Sequence, residues 1–144
     1  QSKYQDVWLL DEVPAKDLEY LELPRHDLGI DLIARSGSEY HAIQCKYHSN
    51  KNSSVSNNEI STFTSLLANK KNLTHGYICS TALNTSRNFN KLEIQNISNI
   101  LYDTWSTLDQ EFFERRLFWL IPCMFISRKM LFADKIMIKI EVMF

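Results

Sequence analysis

Asp31, Gln44 and Lys46 are the residues of this chain whose types and spacing could do chemistry together. A carboxylate, an amide oxygen and an ammonium form a small kit for phosphodiester hydrolysis. Asp31 and the Gln44 side-chain oxygen are hard oxygen ligands suited to Mg²⁺ or Mn²⁺; the former keeps several of its own waters and needs only one or two protein carboxylates. A cation held there would polarise a phosphate and activate a water. Lys46 could orient that water or stabilise charge developing on the phosphorus oxygens. The three residues alone are also compatible with a plain ion pair between Asp31 and Lys46 on a sheet surface.

The elements that must position them are two apolar runs around a tight turn. Gly37-Ser38 suits a two-residue hairpin loop, so residue 36 faces residue 39, Asp31 falls opposite Gln44, and Lys46 faces Gly29. Because side chains alternate, Asp31, Gln44 and Lys46 emerge on one face with Ile33 and Ala42. Leu28, Ile30, Leu32, Ala34, His41, Ile43, Cys45 and Tyr47 form the opposite face, a coherent core surface apart from His41. A slip of one residue would exchange the two sets, so the pattern itself specifies the register.

Asp31, twelve intervening residues and then Gln44-x-Lys46 resemble the PD-(D/E)XK nuclease signature in the Gln-x-Lys form found in Mrr-type restriction endonucleases. The flanking words are more specific. Gly29-Ile30-Asp31-Leu32-Ile33-Ala34 and Ala42-Ile43-Gln44-Cys45-Lys46-Tyr47 are similar to the nuclease domain that precedes superfamily 2 helicases in large DNA viruses, plasmids and bacterial defence systems. So are Trp8 through Pro14, Glu59 through Phe63, and Asp103 through Phe113. The resemblance covers about residues 4 to 116. It implies an α/β restriction-endonuclease-like core with a mixed central β-sheet flanked by helices. It also implies a metal-dependent endodeoxyribonuclease whose products carry a 5′-phosphate. Its metal ligands would be Asp31, Gln44, the Cys45 main-chain carbonyl and an upstream acid. Glu12 matches the position of that acid, although the acidic run from Glu12 to Asp27 equally suits a solvated turn.

The chain has 144 residues, 44% apolar and 23% charged, which is ordinary material for one globular domain. Its formal net charge is −1. A nuclease that held DNA unaided would usually carry a basic surplus, because phosphate neutralisation supplies most non-specific affinity. DNA is therefore expected to be delivered by something else, such as an attached helicase. Lys51, Lys70, Lys71 and Arg87 are the candidate phosphate contacts, against the alternative that they are solvated surface charges. Cys45, Cys79 and Cys123 have no metal-ligand spacing and sit in apolar runs, which fits free thiols and a cytoplasmic setting. His26, His41, His48 and His75 lack ligand spacing and read as surface or packed histidines. A start at Gln1 without a charged-then-apolar leader suggests an excerpt of a longer protein.

The remaining elements are expected in order. Tyr4, Val7, Trp8 and Leu10 suggest a short helix before Pro14, followed by the acidic turn and the hairpin. Residues 49–58 read as a flexible polar loop. Ser56-x-x-Glu59 is a capping box that opens a helix carrying Ile60, Phe63, Leu66 and Leu67. Residues 76–81 read as a buried strand parallel to the second hairpin strand. A helix over 86–97, a strand over 100–103 and a helix over 108–117 capped by Thr107 would complete residues 1–116 as the nuclease unit. Residues 117–144 would be an extension, either a hairpin or a linker to a further domain, and their apolar run is too short and too interrupted by Pro122 to span a membrane. Two rival readings stand beside the nuclease: an inactive nuclease-fold module that docks DNA or a protein, and an interaction domain built on the carboxy-terminal strands.

Overall fold

The computed structural model describes residues 4–26, 29–86 and 96–106. A five-stranded mixed sheet organises them. Its strands are β1 (Asp6–Leu9), β2 (Leu32–Ser36), β3 (Glu39–Lys46), β5 (Leu73–Ser80) and β7 (Ile97–Ile100), side by side in that order. The first two junctions, β1 with β2 and β2 with β3, are antiparallel; β3 with β5 and β5 with β7 are parallel. A two-stranded parallel ribbon, β4 (Ser54–Val55) with β6 (Asn84–Thr85), stands apart from it. The helices are α1 (Ala15–Leu21), α2 (Asn57–Asn69) and α3 (Tyr102–Ser106), with a 3-10 turn at Leu10–Glu12. This is the α/β mixed-sheet architecture expected from the sequence.

The hairpin register is the expected one from Leu32↔Ile43 to Ser36↔Glu39, with Gly37 at φ +62° in the turn. Alternation then sorts the strands between two apolar clusters. Ile33, Ala42 and Ile78 pack with Leu18 and Leu21 of α1 and Ile60 and Phe63 of α2. Leu32, Ala34, Ile43, Cys45, Tyr77 and Cys79 form the second cluster. Both faces of the hairpin are thus buried, and the face that carries Gln44 is roofed by helices rather than open along its length. Ile30 joins Ile33 instead of Leu32, because the regular strand begins only at Leu32.

Several expectations need correction. Residues 6–9 form an edge strand and not a helix: Trp8 packs toward one cluster while Val7 and Leu9 pack toward the other, a period of two. The acidic segment contains α1, whose Leu18 and Leu21 are buried and whose chain leaves through Glu22 in the left-handed conformation. Asp17 is buried there and accepts a hydrogen bond from the Tyr40 hydroxyl, which ties α1 to β3. Residues 49–58 are not a free loop. Leu83 N–H donates to the Lys51 carbonyl at 2.8 Å and Ser86 N–H to the Val55 carbonyl at 2.9 Å, so the β4/β6 ribbon pins them. Ile97 lies in a strand rather than at the end of a helix, and the next helix already begins at Tyr102. The remainder of the helix expected over 86–97, the helix over 108–117 and everything beyond lie outside the described residues.

His41, the one polar residue on its face, is 5% exposed and has partners. The Tyr4 hydroxyl lies 2.7 Å from its Nδ1, and the rings of Tyr4, His75 and Tyr77 surround it edge-on or tilted. Burial, followed by the bond with Tyr77, holds the Tyr4 phenol well above its ordinary pKa. The histidine is a packed core group, as its lack of ligand spacing implied.

Candidate active site

The site is built where β2 begins and the parallel strands β3 and β5 end, the edge of an open α/β sheet at which crevices form. Gly29 turns the chain into β2 at φ +81°, a conformation that side chains rarely adopt. A Cβ at Gly29 would stand 3.0 Å from Gln44 Nε2, so the missing side chain also makes room for the Gln44 amide. Asp31 follows. Its N–H donates to the Ile43 carbonyl at 2.9 Å, its carbonyl accepts from Leu10 N–H at 3.2 Å, and its Oδ2 accepts from Cys45 N–H at 2.7 Å.

That last bond differs from the expected arrangement. The paired register stops at Leu32↔Ile43, so Asp31 and Gln44 are not ladder partners, and neither are Gly29 and Lys46. The Asp31 carboxylate instead fills the hydrogen-bonding slot that a continuing strand would have offered to Cys45. A carboxylate gripped in this way is fixed at the sheet edge by the backbone it would share with a ligand.

Gln44 sits one turn of the pleat away on the α2 side, near Thr62 and Phe63, and is 3% exposed. Its Oε1 is buried without a hydrogen-bond partner among the described residues. Leaving a buried acceptor unsatisfied costs about 1–3 kcal/mol, so the fold gains nothing from this oxygen. Lys46, next in the same row, is half-buried at the end of β3. Its main chain is fixed by Ser80 Oγ at 2.9 Å and Thr81 N–H at 3.2 Å, both donating to the Lys46 carbonyl. No carboxylate forms an ion pair with its ammonium among the described residues. The plain Asp31–Lys46 ion pair is therefore not what holds these residues in place.

The donor set suits a hard divalent cation: an anchored carboxylate, an amide oxygen with no partner among the described residues, and the main chain of Cys45. Glu12 is exposed on the 3-10 turn, two residues beyond the Leu10 N–H that bonds to Asp31. No group of three His, Cys, Asp or Glu side chains converges as a metal cluster among the described residues.

Among the candidate DNA contacts, Lys70 and Lys71 follow the end of α2 opposite to the one that carries Glu59. Lys51 lies in the turn before β4, with its Nζ 5.4 Å from the Tyr102 ring centroid, a cation–π contact. Lys70 caps the far end of α2 and pairs with Glu22 of the α1 terminus at 3.3 Å. With Lys71 beside it, it stands roughly 16 Å along the helix from Glu59, at about 1.5 Å per residue. Arg87 lies outside the described residues. Sequence reasoning, on the other hand, passed over His48. The imidazole Nε2 lies 3.2 Å from Glu59 Oε1, at ion-pair distance though not aligned for a hydrogen bond, and the pair flanks the Lys46 end of the row. The signal was available as the continuation of the period-two row Gln44, Lys46, His48 beyond the strand.

A restriction endonuclease family profile matches residues 1–114, and the chain belongs to that family. It is a domain of the Mrr-type restriction endonucleases. Among solved structures, an ATP-dependent Type ISP restriction-modification enzyme, LlaBIII, bound to DNA, shares the fold with a TM-score of 0.54 and 29% identity. That likeness covers 76% of this chain and 7% of the LlaBIII chain. A protein of unknown function is also similar, with a TM-score of 0.44 and 15% identity over 63% of this chain and 60% of its own. No curated protein matches. No helix among the described residues is long and apolar enough to cross a membrane.

Proposed function

We propose that this chain is the nuclease unit of a DNA-cleaving enzyme, with residues 1–116 forming the unit and Asp31, Gln44 and Lys46 its working groups. The observation that carries this reading is a pair of polar groups uncommitted among the described residues: a buried Gln44 oxygen without a hydrogen-bond partner and a Lys46 ammonium without an ion pair, in one row beside an anchored carboxylate. A fold keeps such groups at a cost, and the cost is explained when a ligand satisfies them.

Asp31, Gln44 Oε1 and the Cys45 carbonyl would hold Mg²⁺ or Mn²⁺, with Glu12 as the additional acid. The bound cation would supply Lewis acidity toward the phosphate. Cys45 N–H keeps the Asp31 carboxylate turned to the sheet edge. Lys46 orients the attacking water and neutralises charge on the phosphate oxygens in the transition state. The dispersed lysines and the net charge of −1 make poor equipment for capturing DNA, so an attached or associated superfamily 2 helicase would deliver it.

Nicking of supercoiled plasmid tests the reading. The chain should nick with Mg²⁺ or Mn²⁺, stop on chelation, and be inactive with Ca²⁺. Asp31→Ala should lose both nicking and calorimetric metal binding. Undiminished metal binding in Asp31→Ala would refute the ligand assignment.

A further inference from the structure

We propose that Tyr47 is a stacking platform for an unpaired nucleobase beside the cleaved bond, so that the chain takes DNA opened at that point in preference to closed duplex; this rests on the nuclease reading for the position of the bond. The sequence places Tyr47 in the period-two row of His41, Ile43 and Cys45, all three of which are buried. Tyr47 is 49% exposed instead, so its ring has left the apolar face on which it was expected. Tyr20 is similarly open but has the Tyr40 ring 5.6 Å away, centroid to centroid. Tyr47 has neither a ring partner nor a side-chain hydrogen bond among the described residues.

The ring is bare although the backbone around it is held. Thr81 N–H donates to the Lys46 carbonyl at 3.2 Å. His48 N–H donates to Thr81 Oγ1 at 2.7 Å, and that hydroxyl donates to the His48 carbonyl at 2.9 Å. Leu83 N–H donates to the Lys51 carbonyl at 2.8 Å, and the Lys51 ammonium rests over Tyr102, whose N–H donates to the Ala82 carbonyl at 2.9 Å. Residues 46–51 are therefore clamped along residues 81–83. A single exposed apolar side chain is ordinary. One fixed through both of its flanking residues is preorganised, and it loses little conformational entropy when something settles on it.

The neighbours of Tyr47 define what it meets. Lys46 precedes it with an ammonium in no ion pair among the described residues, and Lys51 follows on the same clamped segment. His48 is turned back to within 3.2 Å of the Glu59 carboxylate. Two cations and a bare aromatic ring on one rigid ledge, at the ends of β3 and β5, suit a nucleic-acid strand: phosphates for the ammonium groups and a base for the ring. A nucleotide whose phosphate meets Lys46 carries its base within reach of the next side chain. Inside a duplex both faces of that base are covered by its neighbours in the stack. Tyr47 can engage it only where the strand is single or has been opened.

Binding without cleavage tests this. An oligonucleotide carrying the fluorescent base 2-aminopurine, single-stranded or annealed to its complement, is titrated with the chain under chelator at low salt, where phosphate contacts are strongest. The parent and Tyr47→Phe should bind the single strand more tightly than the duplex and quench the fluorescent base at saturation. Tyr47→Ala should weaken single-strand binding by roughly fivefold to a hundredfold, as for one stacked base, and remove the quenching. Its duplex binding and melting temperature should match the parent. Equal affinity for the two forms, no single-strand binding, or single-strand binding undiminished in Tyr47→Ala would overturn the proposal. If Tyr47-dependent single-strand binding is found in a chain that nicks no DNA with Mg²⁺, the nuclease reading fails and the stacking platform stands. If the chain nicks but binding does not depend on Tyr47, the platform falls alone.

Discussion

Gln44 carries most of the argument at the scale of single residues. An amide buried to 3% exposure usually has its oxygen hydrogen-bonded, and this one does not among the described residues. Replacing it with methionine, of similar length and without a polar oxygen, should leave stability unchanged or raise it by about 1 kcal/mol, since a desolvated acceptor is removed. The same change should abolish metal binding and nicking. Urea unfolding of Gln44→Met, measured beside calorimetric Mg²⁺ titration, checks both halves. A variant destabilised by several kcal/mol would show that the oxygen has a structural partner and that the site reading is misplaced. Asp31 differs in kind: its carboxylate already holds Cys45 N–H, so Asp31→Ala removes a structural bond along with a ligand.

At the scale of elements, α2 on β5 and β3 forms the wall of the site, and Gly76 sets how closely they approach. A Cβ there would overlap Leu67 Cδ1 and stand 3.1 Å from Phe63 Cζ. Gly76→Ala should therefore cost about 1–3 kcal/mol by overpacking and move α2 away from the sheet, lowering the melting temperature and the cleavage rate together. The first turn of α2 has its own pH dependence. With its folded pKa below that of the unfolded chain, Glu59 contributes stability that is complete above the ordinary glutamate value and is lost as pH falls through the folded value. Glu59→Gln should flatten that part of an acid-unfolding curve, with the steepest difference below the usual glutamate range. These elements were legible in the sequence to different depths. The hairpin register followed from Gly37-Ser38 and alternation, and α2 from Ser56-x-x-Glu59, because both signals are local. The strand β1 was not, since an edge strand of Val7, Trp8 and Leu9 is stabilised by its partner β2 rather than by its own spacing. Nor was the β4/β6 ribbon: two residues pairing with two others some thirty positions away leave no local pattern. In the site, the row Gln44 and Lys46 was readable from period two, whereas the bond from Cys45 N–H to Asp31 depends on where β2 loses its register.

For the molecule as a whole, charge is the controlling property. A chain with a formal net charge of −1, whose Lys70 is paired with Glu22 and whose Lys51 rests over Tyr102, has no basic surplus with which to hold DNA. Duplex affinity of the isolated chain should be weak and fall further with salt, because exposed charges are screened over roughly 8 Å at physiological ionic strength. Fusion to a DNA-binding or helicase segment should raise the nicking rate by raising the local DNA concentration, leaving the metal requirement unchanged. Tight, salt-insensitive duplex binding by the isolated chain would contradict this. The central claim is that the row at the end of β3 is kept for chemistry and not for stability, and Lys46→Ala tests it most directly when unfolding and plasmid nicking are measured on the same preparation. The account predicts stability within about 1 kcal/mol of the parent, as for a side chain without an ion pair, and loss of nearly all Mg²⁺-dependent nicking; a strongly destabilised protein that still nicks would contradict it.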